Sequence, residues 1–66
     1  MDIMINGESR AVPADYTAAH LVESLGLAGR RIAMEVNQQI VPRSCYATHR
    51  FAAGDRIEIV HAVGGG

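Results

Sequence analysis

The chain has 66 residues, a hydrophobic fraction of 48% and a formal net charge of −1; at this size one small domain buries only about 60% of its unfolded surface, too little for a cleft enclosing both a substrate and a catalytic constellation. All six basic residues are arginine, and none forms a run of the kind that tracks nucleic acid. The single cysteine, Cys45, excludes an internal disulfide framework and fits a reducing compartment.

The chain opens with Met1, Ile3 and Ile5 alternating with Asp2 and Met4, the period of a half-buried strand. This opening carries neither the basic segment nor the long apolar stretch of a signal peptide. No apolar run approaches the roughly 20 residues that span a membrane. The expected setting is cytoplasmic, with no nucleic-acid and no membrane partner. Asn6-Gly7 then signals a two-residue hairpin, because both central residues of a type I′ turn need positive φ. A return strand is predicted from Glu8 to Val12, ended by Pro13. That register sets Ile5 opposite Glu8, Ile3 opposite Arg10 and Met1 opposite Val12. Arg10 thus falls on a core-facing row, which an edge strand tolerates if the aliphatic stem covers apolar surface and the guanidinium reaches water.

Thr17 is the predicted N-cap of a short helix, with Tyr16 and Leu21 forming a hydrophobic staple. Ala18, Leu21, Val22 and Leu25 make one apolar stripe, and Gly26 ends the helix in a left-handed conformation. From Ile32 the period returns to two: Ile32, Met34 and Val36 alternate with Ala33 and Glu35. Asn37-Gln38-Gln39 is a turn, and Ile40-Val41 is a short strand ended by Pro42. The segment from Arg43 to Arg50 is polar and weakly patterned, a loop with one helical turn. After the Ala53-Gly54-Asp55 turn, the run from Ile57 to His61 is the last strand. The order ββαβββ describes a two-layer α+β domain, one mixed sheet of four to five strands packed on one helix.

The domain is expected over residues 1–63, with residues 64–66 as a flexible tail. Three consecutive glycines form neither helix nor strand, because ordering them costs more entropy than any other residue. The bland reading is a frayed end. A slim segment following directly on a patterned strand also suits threading into a narrow channel of another enzyme. The Gly66 carboxylate is an anion at neutral pH and a poor electrophile. Converted to a mixed anhydride with AMP it acquires a good leaving group, which sulfide or a persulfide displaces to give a thiocarboxylate.

Several segments carry a family likeness along nearly the whole chain: Ile5-Asn6-Gly7-Glu8, Leu21-Val22-Glu23-Ser24-Leu25-Gly26-Leu27, Val36-Asn37-Gln38-Gln39-Ile40-Val41-Pro42-Arg43, Gly54-Asp55-Arg56-Ile57-Glu58-Ile59-Val60 and the terminal glycines. With these the chain resembles the sulfur carrier proteins of thiamin thiazole biosynthesis, the ThiS family of ubiquitin-like β-grasp proteins. The resemblance implies a protein co-substrate and not an enzyme. It implies adenylation of Gly66 by an E1-like adenylyltransferase, sulfur supply by a sulfurtransferase or cysteine desulfurase route, and delivery to thiazole synthase. ATP and Mg are then used by the activating partner, and no cofactor is bound to the chain itself. Two positions depart from the family pattern: Arg10, where relatives often carry an apolar residue, and Gln38, where many have Gly after the Asn.

Around the tail, Val63, Gly64 and Gly65 are the expected recognition residues for the activating enzyme. If Ile57 and Ile59 face the helix, Glu58 and Val60 point to the open face and form a candidate partner surface, although an isolated exposed valine is commonly incidental. Cys45 reads as an unremarkable thiol with only Arg43 nearby in sequence. His20, His49 and His61 lack ligand spacing, so no metal site is expected. Arg43 ends a strand, and the resemblance allows it a docking role. Two other functions share the tail chemistry: the small subunit of molybdopterin synthase, and a ubiquitin-like modifier attached to target lysines.

Overall fold

A computed structural model of the chain describes residues 1–61. The opening hairpin forms as the residue pattern requires. Strand β1 (Asp2–Ile5) and strand β2 (Glu8–Ala11) pair antiparallel, with Ile5 opposite Glu8 and Ile3 opposite Arg10. Asn6 (φ 49°) and Gly7 (φ 86°) occupy the left-handed conformations of the two-residue turn. Pairing continues one step past the strands, as the Val12 N–H donates to the Met1 carbonyl at 2.8 Å and the Met1 amino group donates back to the Val12 carbonyl at 2.8 Å. Every residue of β2 is exposed, and Arg10 with it. That is the edge position at which an arginine in an inward row is harmless.

Helix α1 (Ala18–Ser24) has only seven residues, too few to persist alone in water. Its ends are satisfied from outside. At the start, the Ala18 and Ala19 N–H groups donate to the carbonyls of His49 and Tyr46, each at 2.9 Å, and the His20 N–H donates to Thr17 Oγ1 at 3.1 Å. Thr17 is the N-cap, and His20 completes a capping box by accepting the Thr17 N–H on Nδ1 at 3.1 Å. Glutamate or glutamine ordinarily fills that role, so the residue pattern did not disclose it. At the other end the Leu27 N–H reaches the Val22 carbonyl and the Gly26 N–H the Glu23 carbonyl, with Gly26 at φ 70°. This is the doubly bonded left-handed terminus that glycine favours. Leu21 is fully buried and Tyr16 packs against the same core, its hydroxyl donating to Ser24 Oγ at 3.0 Å.

The remaining strands are β3 (Ile32–Val36), β4 (Gln39–Val41) and β5 (Arg56–His61), with a single 3₁₀ turn over Arg43–Cys45. Gln39 belongs to β4 and not to the turn. Asn37 (φ 52°) and Gln38 (φ 70°) alone make the connection, a second two-residue turn of the kind formed by Asn6-Gly7. The five strands lie in the order β2-β1-β5-β3-β4, with β1 and β5 parallel and the other neighbours antiparallel. The strand that leads to the C-terminal segment is therefore the middle of the sheet.

One face of the sheet closes on the helix. Ile3, Ile5, Met34, Val36, Val41, Ile57 and Ile59 meet Ala18, Leu21 and Val22 in a single buried cluster. Val12, Tyr46 and Phe51 complete it. Tyr46 comes from the polar segment Arg43 to Arg50, read as a loop with one helical turn, and Phe51 follows that segment directly. The Phe51 N–H donates to the Tyr16 carbonyl at 3.0 Å, and the His49 ring packs edge-on against Phe51 with centroids 5.5 Å apart. The loop is thus a wall of the core, ordered by the helix N-terminus that it caps.

Candidate functional site: the last strand and the open sheet face

Two asparagines fix β5. Asn6 stands where β1 ends, yet its backbone N–H still donates to the Ile57 carbonyl at 2.9 Å. Its side chain then takes the place of the strand that is no longer there. The Ile59 N–H donates to Asn6 Oδ1 at 2.9 Å, and Asn6 Nδ2 donates to the Ile59 carbonyl at 3.3 Å. Asn37 does the same at the other end of β5. Its backbone N–H donates to the Arg56 carbonyl at 2.8 Å, and its Oδ1 accepts the Arg56 N–H at 3.0 Å. Asn37 Nδ2 donates to the Asp55 carboxylate at 3.0 Å, which also accepts the Ala52 N–H at 2.8 Å. Asparagine suits both places because it tolerates positive φ and carries a donor and an acceptor on one short arm. Both residues begin two-residue turns, which the sequence shows; that each turn lies beside β5 follows from the sheet order.

With β5 held, its side chains alternate as predicted. Ile57 and Ile59 are buried, whereas Glu58 and Val60 are exposed on the face away from the helix. Glu58 lies opposite Glu35 on β3, and Glu35 lies opposite Ile40 on β4. Val60 lies opposite Ala33. Val60 is 61% and Ile40 65% exposed, the two large hydrophobic residues left in solvent among the described residues. Ile40 has no place in the sequence-level surface, because a two-residue apolar strand gives no period from which to choose its outward side. Like charges directly opposite each other in a sheet are unfavourable. The directly opposed Glu35–Glu58 pair therefore works against the fold and is tolerated on the solvent face.

Val63, Gly64, Gly65 and Gly66 lie outside the described residues. The structure does separate the other candidates from one another. Cys45 is exposed at the end of the 3₁₀ turn. His20 serves the helix cap, His49 packs on Phe51, and His61 ends β5. Among the described residues no three His, Cys, Asp or Glu side chains converge as a metal site, and no helix is long and apolar enough to cross a membrane. The Arg43 guanidinium donates to the carbonyl of Arg30.

A family model described as the ThiS family matches residues 3–66. The chain belongs to the ThiS family. It is 35% identical to the sulfur carrier protein ThiS of Escherichia coli (strain K12), over all of both chains. It is also 44% identical to a thiazole synthase of Paramagnetospirillum magneticum, where the match covers all of this chain and 20% of the relative. The chain thus spans about one fifth of the first curated relatives it matches and the full length of the E. coli ThiS protein. The crystal structure of a thiamine biosynthesis protein (ThiS) from Geobacter metallireducens superposes with a TM-score of 0.85 at 23% identity, over all of both chains. That likeness establishes the β-grasp fold for this ThiS family member: a mixed five-stranded sheet gripping one helix.

Proposed function

We propose that this ThiS family member is a sulfur carrier for thiamin thiazole formation, a protein co-substrate with its reacting group on Gly66. The observation that carries the reading is the end-to-end match, over all of both chains, to a protein named as the sulfur carrier ThiS. The described scaffold is consistent with it, because a central strand bracketed on both sides is a firm base for a reactive terminus.

The chemistry runs in balanced steps. An oxygen of the Gly66 carboxylate attacks the α-phosphorus of ATP, forming the acyl adenylate and releasing pyrophosphate; Mg held by the activating enzyme neutralises the phosphates. Free sulfide then attacks the acyl carbon, loses its proton and expels AMP to leave the thiocarboxylate. A persulfide instead expels AMP to give an acyl disulfide, which a thiol cleaves to the same thiocarboxylate while the thiol and the former persulfide sulfur end joined as a disulfide. An E1-like adenylyltransferase performs the first step, and a sulfurtransferase or cysteine desulfurase route supplies the sulfur. Thiazole synthase is the acceptor, all within the cytoplasm. Glycine at Gly64 and Gly65 keeps the segment slim enough for a narrow site, with Val63, Val60 and Glu58 as contacts on the way in.

The test is an intact mass after incubation with ATP, an E1-like adenylyltransferase and a sulfur source. Replacement of one oxygen by one sulfur is the expected change, and its absence from a folded chain overturns the reading. Isopeptide adducts on target lysines in cells would reassign the protein as a modifier. Loss of molybdoenzyme activity on deletion, with no thiazole requirement, would move it to molybdopterin synthesis.

A further inference from the structure

Three of the six arginines gather at one end of the sheet. Ile32 on β3 lies opposite His61, the last residue of β5. Arg30 and Arg31 immediately precede Ile32 and so flank the point at which β5 passes into residues 62–66. Arg43 reaches the same end from β4, and its guanidinium donates to the Arg30 carbonyl. All three residues are exposed. Arg30 and Arg43 line one groove with Glu23, Leu27 and Tyr46, so a single acid accompanies them there. The other acids lie elsewhere. Glu35 and Glu58 are further along the sheet, Asp55 precedes the opposite end of β5, Asp2 and Glu8 belong to the opening hairpin, and Asp15 precedes the helix. A chain of net charge −1 thus places half of its arginines at the end of the sheet where β5 reaches His61.

Five residues separate His61 from the end of Gly66, a reach of at most about 18 Å for extended chain. An enzyme that binds the Gly66 carboxylate in its active site must bring that site within this reach of His61. Building on the sulfur-carrier reading, we infer that Arg30, Arg31 and Arg43 form a basic collar that docks on an acidic rim at the entrance to the adenylating enzyme's active site. Guanidinium groups suit such a rim because their planar donors pair with carboxylates two bonds at a time. Rim charges act chiefly on the encounter of the partners and on its salt dependence, so the collar acts on KM and not on the chemical step.

The experiment is ATP–pyrophosphate exchange catalysed by the E1-like adenylyltransferase, with the carrier as varied substrate. Wild type is compared with Arg31→Glu and with Arg10→Glu, which changes charge equally but lies on the far edge strand β2. Thermal midpoints verify that both variants fold. Arg31→Glu is expected to raise KM for the carrier about tenfold at low salt, with kcat unchanged. The gap should narrow toward 0.5 M salt, where screening shortens the reach of charge to about 4 Å. Arg10→Glu is expected to match wild type. If wild type supports exchange and Arg31→Glu behaves as Arg10→Glu does, the collar is wrong and the carrier reading stands. If wild type supports no exchange, the carrier reading fails and the collar with it.

Discussion

Replacing Asn6 with alanine removes the side chain that stands in for a missing strand. The 2.9 Å bond from the Ile59 N–H is a well-formed hydrogen bond, and such bonds contribute about 0.5–1.5 kcal/mol net. The return bond to the Ile59 carbonyl is longer, at 3.3 Å, and is worth less. Alanine must also hold the φ of 49°, which costs a residue with a Cβ roughly 1–2 kcal/mol. Together these give about 2–4 kcal/mol for Asn6→Ala. Asn6→Gly escapes the steric part and should lose only about 1–2 kcal/mol, through the same hydrogen bonds and added chain entropy. A domain of this size has a total stability of about 3–10 kcal/mol, so the alanine variant is near the edge of folding. Urea unfolding followed by far-UV circular dichroism measures both, with amide exchange at Ile59 as the local readout. An alanine variant within about 0.5 kcal/mol of wild type, or an Ile59 amide that stays fully protected in Asn6→Gly, would refute the bracket.

The other expectations concern a turn, a cap and the open face. Gln38→Gly should stabilise the domain by about 0.5–1 kcal/mol, because glutamine is held at φ 70° in a two-residue turn where glycine is unstrained; an unchanged or lower urea midpoint would contradict this. His20→Gln should keep the reciprocal cap with Thr17, whereas His20→Ala should lose about 1 kcal/mol, and equal thermal midpoints for the two would show that the imidazole does not act as a cap. Val60→Ser should cost less than about 1 kcal/mol of stability while raising the adenylating enzyme's KM for the carrier by about tenfold, the equivalent of one valine left unburied. An unchanged KM would remove Val60 from the docking surface.

Most of the architecture was legible because local rules and tertiary demands agree along this chain. Ile3 and Ile5, then Met34 and Val36, then Ile57 and Ile59 alternate because each strand is wet on one side, and period two is then compulsory. Asn6-Gly7 and Gly26 announce their turns through backbone conformations that few residues adopt. Tyr46 and Phe51 were not legible, since a loop wall contributes single aromatics with no period to betray them. His20 hid its capping role because the side chain that usually answers Thr17 is a carboxylate or an amide.

Periodicity, turn chemistry and motif spacing are local properties of the chain, and from them the elements, their order, the inward and outward sides of β5 and the family are all readable. It took the assembled sheet to show that Asn6 and Asn37 grip β5, that Ile40 joins Val60 on the open face, and that Arg43 comes to the Arg30-Arg31 pair at the end of the sheet where His61 lies. Those facts depend on sheet order and register, where a parallel pairing between β1 and β5 unites residues more than fifty positions apart. No local pattern encodes that closure; it follows from burying both halves of the sheet against one short helix.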